Sequence, residues 1–131
     1  MSSPKAIQMI LARQLASCVA TPILLVDVSG TLIFYNEPAE AILGQRFEET
    51  GEMPADEWAQ AYTITDDDGM PVAPKGLPLT IALREHRPAH GRLTMVGRDH
   101  VRRKIEVTAF PLTGQADRHL GAVAIFWEVP S

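Results

Sequence analysis

The sequence holds one cysteine, Cys18, among 131 residues. With no second thiol, no disulfide can close within the chain. That usage suits a reducing compartment, and a cytoplasmic location is expected. Long apolar runs are missing too. None approaches the roughly 18 residues of a membrane span, and the N-terminus lacks the basic-then-apolar plan of a signal peptide. There is no excess of positive charge: 12 Lys and Arg stand against 16 Asp and Glu, for a net charge of −4. General nucleic-acid binding is therefore not expected, and the basic triplet Arg102-Arg103-Lys104 alternates faces if it lies on a strand. No repeat or low-complexity stretch occurs. No Gly-x-Ser-x-Gly elbow, phosphate loop or His-Glu-x-x-His appears. The four histidines, His86, His90, His100 and His119, fall on turns or strand ends. Nucleophile, base and oxyanion donors cannot be assembled from such a set, so no enzyme is expected.

What is present is enough apolar sequence for one domain with a core: 46% of residues are hydrophobic and 21% charged. The organising stretch is Thr21 to Gly44. Ile23 to Val28 and Thr31 to Tyr35 are rich in branched and aromatic residues and predict two strands. Ser29-Gly30 between them predicts a two-residue hairpin loop, with Gly30 free to take positive φ. Asn36 fits a helix N-cap, Pro38 the first turn and Gly44 the stop.

Upstream, residues 4 to 19 predict a helix capped by Ser3 with Pro4 first, and Ile7, Ile10, Leu11, Leu15 and Cys18 recur as one stripe. Three readings stay open: the helix lies on its own domain, two chains share it, or part of the segment is disordered. Downstream, Gln45 to Ala61 predicts short helical pieces, with Asp56 and Glu57 in the first turn of one and Trp58 packed on the domain. Thr65 to Lys75 predicts a loop. Its three aspartates fail as a calcium loop on register. With Gly69 sixth, Ile64 would stand first and Lys75 twelfth, where acidic or oxygen-bearing ligands are needed. Leu77 to Glu85 predicts a helix ended at Arg87-Pro88. Three strands follow: Gly91 to Gly97, Val101 to Leu112, and His119 to Val129, with a tight turn at Arg98-Asp99-His100 and a polar loop over Thr113 to Arg118. The last strand is apolar on both faces and needs cover outside the sheet. The N-terminal stripe is the candidate. Five antiparallel strands with helices grouped between the second and third make an α+β plan.

In order and spacing these fragments resemble the PAS sensor domains over roughly residues 21 to 129. The opening hairpin with Asn36-x-x-Ala39 and Leu43-Gly44 carries the first likeness. Asp68-Gly69-Met70-Pro71, Leu77-Pro78-Leu79 and Ala82-Leu83 carry the second. Glu106 to Leu112 and Gly121 to Phe126 carry the third. The likeness implies a PAS-like domain over 21–131, with helices on one sheet face and a flanking amphipathic helix over 1–20. The family often closes with Asp-Ile-Thr leading into a signalling helix. Here Trp127-Glu128-Val129-Pro130-Ser131 takes that place, and no output domain is expected in this chain.

The resemblance implies a sensory module with a cavity between the inner sheet face and the covering helices. That face would carry Leu24, Val26, Leu32, Phe34, Leu93, Met95, Arg103, Ile105, Val107, Ala122, Ala124 and Phe126, with Leu79 and Leu83 closing it. A one-residue slip would invert the phase. Either the cavity takes a small apolar or aromatic molecule, or the core is simply packed and the domain is a constitutive interaction module. Arg103 is the one charge on that face, either anchoring a ligand carboxylate or ending the strand at the surface. Flavin photochemistry in the family needs an Asn-Cys-Arg cysteine on a central helix, and linked chromophores need a pocket cysteine. Cys18 lies outside the matching region. Haem would need an axial histidine on the helix before the third strand, where His86 and His90 fall nearest. Noncovalent flavin has no signature here. A homodimer through the N-terminal helix and outer sheet face is expected. So is a separate signalling partner such as a kinase or transcription regulator, without nucleic acid or membrane.

Overall fold

The computed structural model describes residues 7–97 and 99–130. Ser3, Pro4 and Arg98 of the expected cap and turn lie outside them. The elements run α1 (Ile7–Cys18), β1 (Ile23–Asp27), β2 (Leu32–Tyr35), α2 (Glu37–Leu43), α3 (Phe47–Thr50), α4 (Ala55–Ala61), β3 (Thr63–Thr65), α5 (Pro78–Glu85), β4 (Ala89–Val96), β5 (Arg102–Thr113) and β6 (His119–Glu128). The fold is α+β. Its antiparallel sheet has the order β2-β1-β6-β5-β4-β3, with β6 at the centre as its two apolar faces require. The sheet has six strands rather than the expected five. The sixth, β3, pairs with β4 at one edge through Thr63–Val96, Ile64–Met95 and Thr65–Thr94. The 65–75 segment therefore begins inside a strand.

The β1–β2 connection is longer than expected. Four residues, Val28 to Thr31, separate the strands, and one oxygen of the Asp27 carboxylate accepts from Ser29 N at 2.9 Å, Thr31 N at 3.1 Å and Ser29 Oγ at 2.6 Å. Gly30 takes φ +87° there. An Asx-type turn thus replaces the two-residue loop.

Asn36 caps α2, its Oδ1 accepting from Ala39 N at 3.2 Å, and does more. The same oxygen accepts from Ile23 N at 3.0 Å, while Nδ2 donates to the carbonyls of Ala16 and Thr21, both at 2.8 Å. A fully buried amide thus joins α1, β1 and α2 with all four of its bonding positions used.

Helix α1 lies on the sheet face opposite the other helices. It buries Met9 and Ala16, with Ala12 and Val19 beside them, against Ile23, Leu25, Ile33 and Val123. Alanines on the contact face let the helix approach closely enough for Asn36 to reach the Ala16 carbonyl. The expected stripe points the other way: Ile10, Leu11 and Leu15 are 46%, 56% and 64% exposed, and Cys18 is exposed as well.

Two bulges set the facing of side chains. Leu25 pairs with Phe34 but Val26 with Leu32, so Ile33 is an extra residue in β2. The slip turns Phe34 to the α1 side, under the Arg13 guanidinium at 4.8 Å, and Tyr35 to the inner core. The expectation that Phe34 lines the inner face is corrected by this bulge. A second bulge at Leu112–Thr113 leaves Leu120 on the outer side. Beside it Gly121, at φ +148°, passes so close to the Val26 carbonyl that no Cβ fits.

Candidate functional site: a core cavity and an adjoining cleft

Between the inner sheet face and α4–α5 lies a cavity of about 80 Å³. The sheet contributes Leu24, Leu32, Ile64, Leu93, Met95, Ile105, Val107, Ala124 and Phe126. The covering segments contribute Leu43, Trp58, Tyr62, Leu77, Pro78 and Leu79, and the wall is apolar throughout. Alternation along the strands produces this wall. Ile105 and Val107 of β5 point inward while Lys104 and Thr108 point out, and Val107 stands opposite Phe126 across the ladder. Ala124, the smallest wall residue, sits on the central strand and leaves the room.

Of the sequence-predicted inner-face residues, Leu24, Leu32, Leu79, Leu93, Met95, Ile105, Val107, Ala124 and Phe126 meet at this wall. Ala122 is fully buried in the same core without reaching the cavity. Val26 and Leu83 face a neighbouring cleft instead, and Phe34 is on the opposite side of the sheet.

Arg103 is drawn away from the cavity. Its guanidinium forks onto Asp99, with Nη2 to Oδ2 at 2.9 Å and Nη1 to Oδ1 at 3.2 Å, and donates to the Ile42 carbonyl at 3.0 Å. Its side chain is 15% exposed. The hydrogen bonds from Arg103 hold the Asp99 carboxyl below its ordinary range. The pair clamps the β4–β5 turn onto the C-terminal end of α2. There the main chain around Gly97 touches the Ile42 and Leu43 carbonyls too closely for a side chain. Arg103 is a structural clamp between elements, not a free ligand anchor. On the outer side of the sheet, Arg92 hydrogen-bonds Glu106 at 2.7 Å and lowers that carboxyl likewise.

The cavity's dimensions bear on cofactors. It is well below the roughly 300 Å³ at which small-molecule and cofactor pockets begin. No histidine is in its wall: His86 caps the end of α5 with φ +56°, exposed and stacked on His119 at 3.6 Å between ring centroids, and His90 bonds Thr108. The wall offers neither an axial ligand for haem nor a thiol for a flavin adduct. Among the described residues no group of three metal-ligating side chains converges. Asp66 spends one carboxylate oxygen on the amides of Asp68 and Met70, closing its own turn. No helix among them is long and apolar enough to cross a membrane.

Beside the cavity, an open cleft of about 560 Å³ runs between the β1–β2 turn, α4, the 73–75 segment and α5. Trp58 and Leu79 belong to both walls and form the partition. The indole Nε1 of Trp58 donates to the Gly30 carbonyl at 2.9 Å, fixing the partition to the turn. Sequence reasoning missed the cleft because its residues come from four separated segments. The turn at Gly30 and the Trp beside a helix start were its only local signals.

No protein-family model and no curated relative matches the chain. Solved structures do. The PAS domain of Bordetella pertussis BvgS superposes with a TM-score of 0.70 at 14% identity, over 96% of this chain and 89% of that one. A Rhodobacter sphaeroides LOV protein gives 0.73 at 16% identity, over 95% and 69%. The light-state dimer of the fungal blue-light photoreceptor Vivid gives 0.63 at 12% identity, over 98% and 97%. With the sheet order, the capped helix after the first hairpin and the helix-covered inner face, these likenesses make the chain a PAS-fold domain.

Proposed function

We propose that the chain is a sensory module that takes a small apolar molecule in its core cavity and transmits the event through a dimer. The observation that carries this is the wall itself: a hollow of about 80 Å³ with no polar atom facing it, inside the buried core. An apolar hollow of this kind stays dry, because water there would lack polar partners. An apolar guest gains contacts that the empty wall lacks. The guest is small or enters by displacing the Trp58–Leu79 partition. The free stripe Ile10, Leu11 and Leu15 on α1 gives the output surface. Pairing two such stripes across a twofold axis removes both from water. That the Vivid structure is a dimer supports the same reading. The downstream partner is a separate signalling protein, such as a kinase or transcription regulator.

A second reading has its own support. The cavity is small for a ligand, and the α1 stripe alone suits a constitutive interaction module with a filled core.

Denaturing the purified protein and analysing its extract by mass spectrometry separates the two. A stoichiometric small apolar compound, absent from an Ala124→Leu variant that fills the cavity, supports sensing. An empty extract together with unaltered dimerisation of that variant supports the constitutive module. Light scattering tests the dimer: the intact chain should have twice the monomer mass, and Leu11→Glu with Leu15→Glu should halve it without loss of folding. A monomer at tens of micromolar would contradict the dimer, because such an interface should dissociate below about 1 μM.

A further inference from the structure

We infer that the cleft between the β1–β2 turn and α5 is a second, separate site for a small amphiphilic carboxylate. Arg46, Arg87, Arg92 and Arg103 each bond a carboxylate of the chain. Among the described residues Arg13, Lys75, Arg84, Arg102, Lys104 and Arg118 bond none, and of these Lys75 and Arg84 stand together in the cleft wall, where no Asp or Glu accompanies them. Two unpaired cations brought together in a chain of net charge −4 are a local inversion of sign, and they attract an anion. The rest of the lining is mainly apolar, with Val26, Trp58, Leu79 and Leu83 its large side chains and Ser29 and Thr80 its hydroxyls.

That combination selects the ligand class. An inorganic anion would leave the apolar lining wet, and a neutral apolar molecule would leave both cations unanswered. A monocarboxylate with an aliphatic or aromatic body satisfies both, its two oxygens matching the planar fork of Arg84 and its body covering the Trp58 and Leu83 side chains. The volume of about 560 Å³ lies within the range of small-molecule sites. The site does not depend on whether the core cavity is filled, although Trp58 and Leu79 line both hollows.

The test uses the full chain with Trp127→Phe, so that Trp58 is the remaining indole, and octanoate as probe. Octanoate should change Trp58 emission saturably, while octylammonium, with the same tail and the opposite charge, should not. Lys75→Glu combined with Arg84→Glu should weaken octanoate by about tenfold or more. It should lower the melting temperature by no more than a few degrees, since both residues are exposed and the main loss is that of a cation in the last turn of α5. Ala124→Leu, which fills the core cavity and not the cleft, should leave octanoate affinity unchanged. Equal binding of octanoate and octylammonium, no saturable change, or full affinity in the charge-reversed variant would overturn the assignment. Loss of octanoate binding in Ala124→Leu with retention in the charge-reversed variant would place the guest in the core. That result would favour the core-cavity reading and defeat this one.

Discussion

Replacing Asn36 by Ala removes the polar node that joins three elements, and its cost can be worked from the bonds it makes. Four are lost: Oδ1 to Ile23 N and Ala39 N, and Nδ2 to the Ala16 and Thr21 carbonyls. Loss of the α2 cap alone costs about 1 kcal/mol. Each buried backbone group left without its partner costs about 1–3 kcal/mol, less where water can follow into the space vacated. Taking the low end for the three remaining groups gives a total of about 4 kcal/mol. A domain of this size has about 5–15 kcal/mol in all, so the variant should fold with little margin. In urea unfolding with a slope of about 2 kcal/mol/M, the midpoint should fall by about 2 M. Asn36→Asp should be no rescue, because it keeps the acceptor but sets a carboxylate against two carbonyl oxygens. Hydrogen exchange gives an independent readout: amides of α1 should lose protection more than those of β5, since the Ala16 bond ties α1 to the domain. A loss below about 1 kcal/mol in Asn36→Ala, at an unchanged slope, would refute the node.

Three further outcomes follow from the packing and charge. Gly121→Ala should prevent folding or lower the melting temperature by more than 10 °C, roughly the effect of several kcal/mol, because a Cβ there collides with the Val26 carbonyl; circular dichroism melts check this. Val107→Asp should abolish folding by burying an unpaired carboxylate, whereas Lys104→Asp on the exposed side of the same strand should melt near the parent. Similar melting of the two variants would mean the β5 facing is wrong. Asp99 and Glu106 are held below their ordinary pKa values of 3.8 and 4.5 by hydrogen bonds from Arg103 and Arg92. Their stabilisation is therefore complete above those values and is lost as the pH falls through the lowered folded-state values. Urea midpoints should be flat above about pH 5 and fall on the acid side. The fall should be shallower in Asp99→Asn and Glu106→Gln.

Much of the fold was legible because its signals are local. Asn36, Pro38 and Gly44 bracket α2 where expected, and Gly44 ends it in the left-handed region. The alternation of Ile105, Val107 and Ala109 sets the inner face of β5. What was not legible depends on contacts distant in sequence. Nothing in Leu32-Ile33-Phe34-Tyr35 announces that Ile33 bulges, so period-two reading turned Phe34 inward when Tyr35 belongs there. In α1 the branched residues made the stripe conspicuous, yet the sheet takes Met9, Ala12 and Ala16, the two alanines allowing the close approach that the Asn36 bond requires. Three residues at a sheet edge, Thr63 to Thr65, are too short to show a period. Arg103 was placed on the correct strand, but its partners, Asp99 and the Ile42 carbonyl, are set by how the β4–β5 turn docks on α2. Much of the cavity wall was foreseeable from the sheet, whereas the parts from Leu43, Trp58, Tyr62 and Leu77 depend on how the covering segments fold over it.

Sensing by this domain requires that the core hollow admit an apolar guest. Methyl NMR of the intact chain under xenon pressure tests it directly, since xenon has no polar demands and suits a dry apolar hollow. Saturable shifts confined to the methyl groups of Leu24, Leu79, Met95, Ile105 and Val107, and abolished by Ala124→Leu, are the predicted result. Shifts that rise linearly without saturating, spread over surface methyls such as Leu11 and Leu15, would contradict it and leave a packed core.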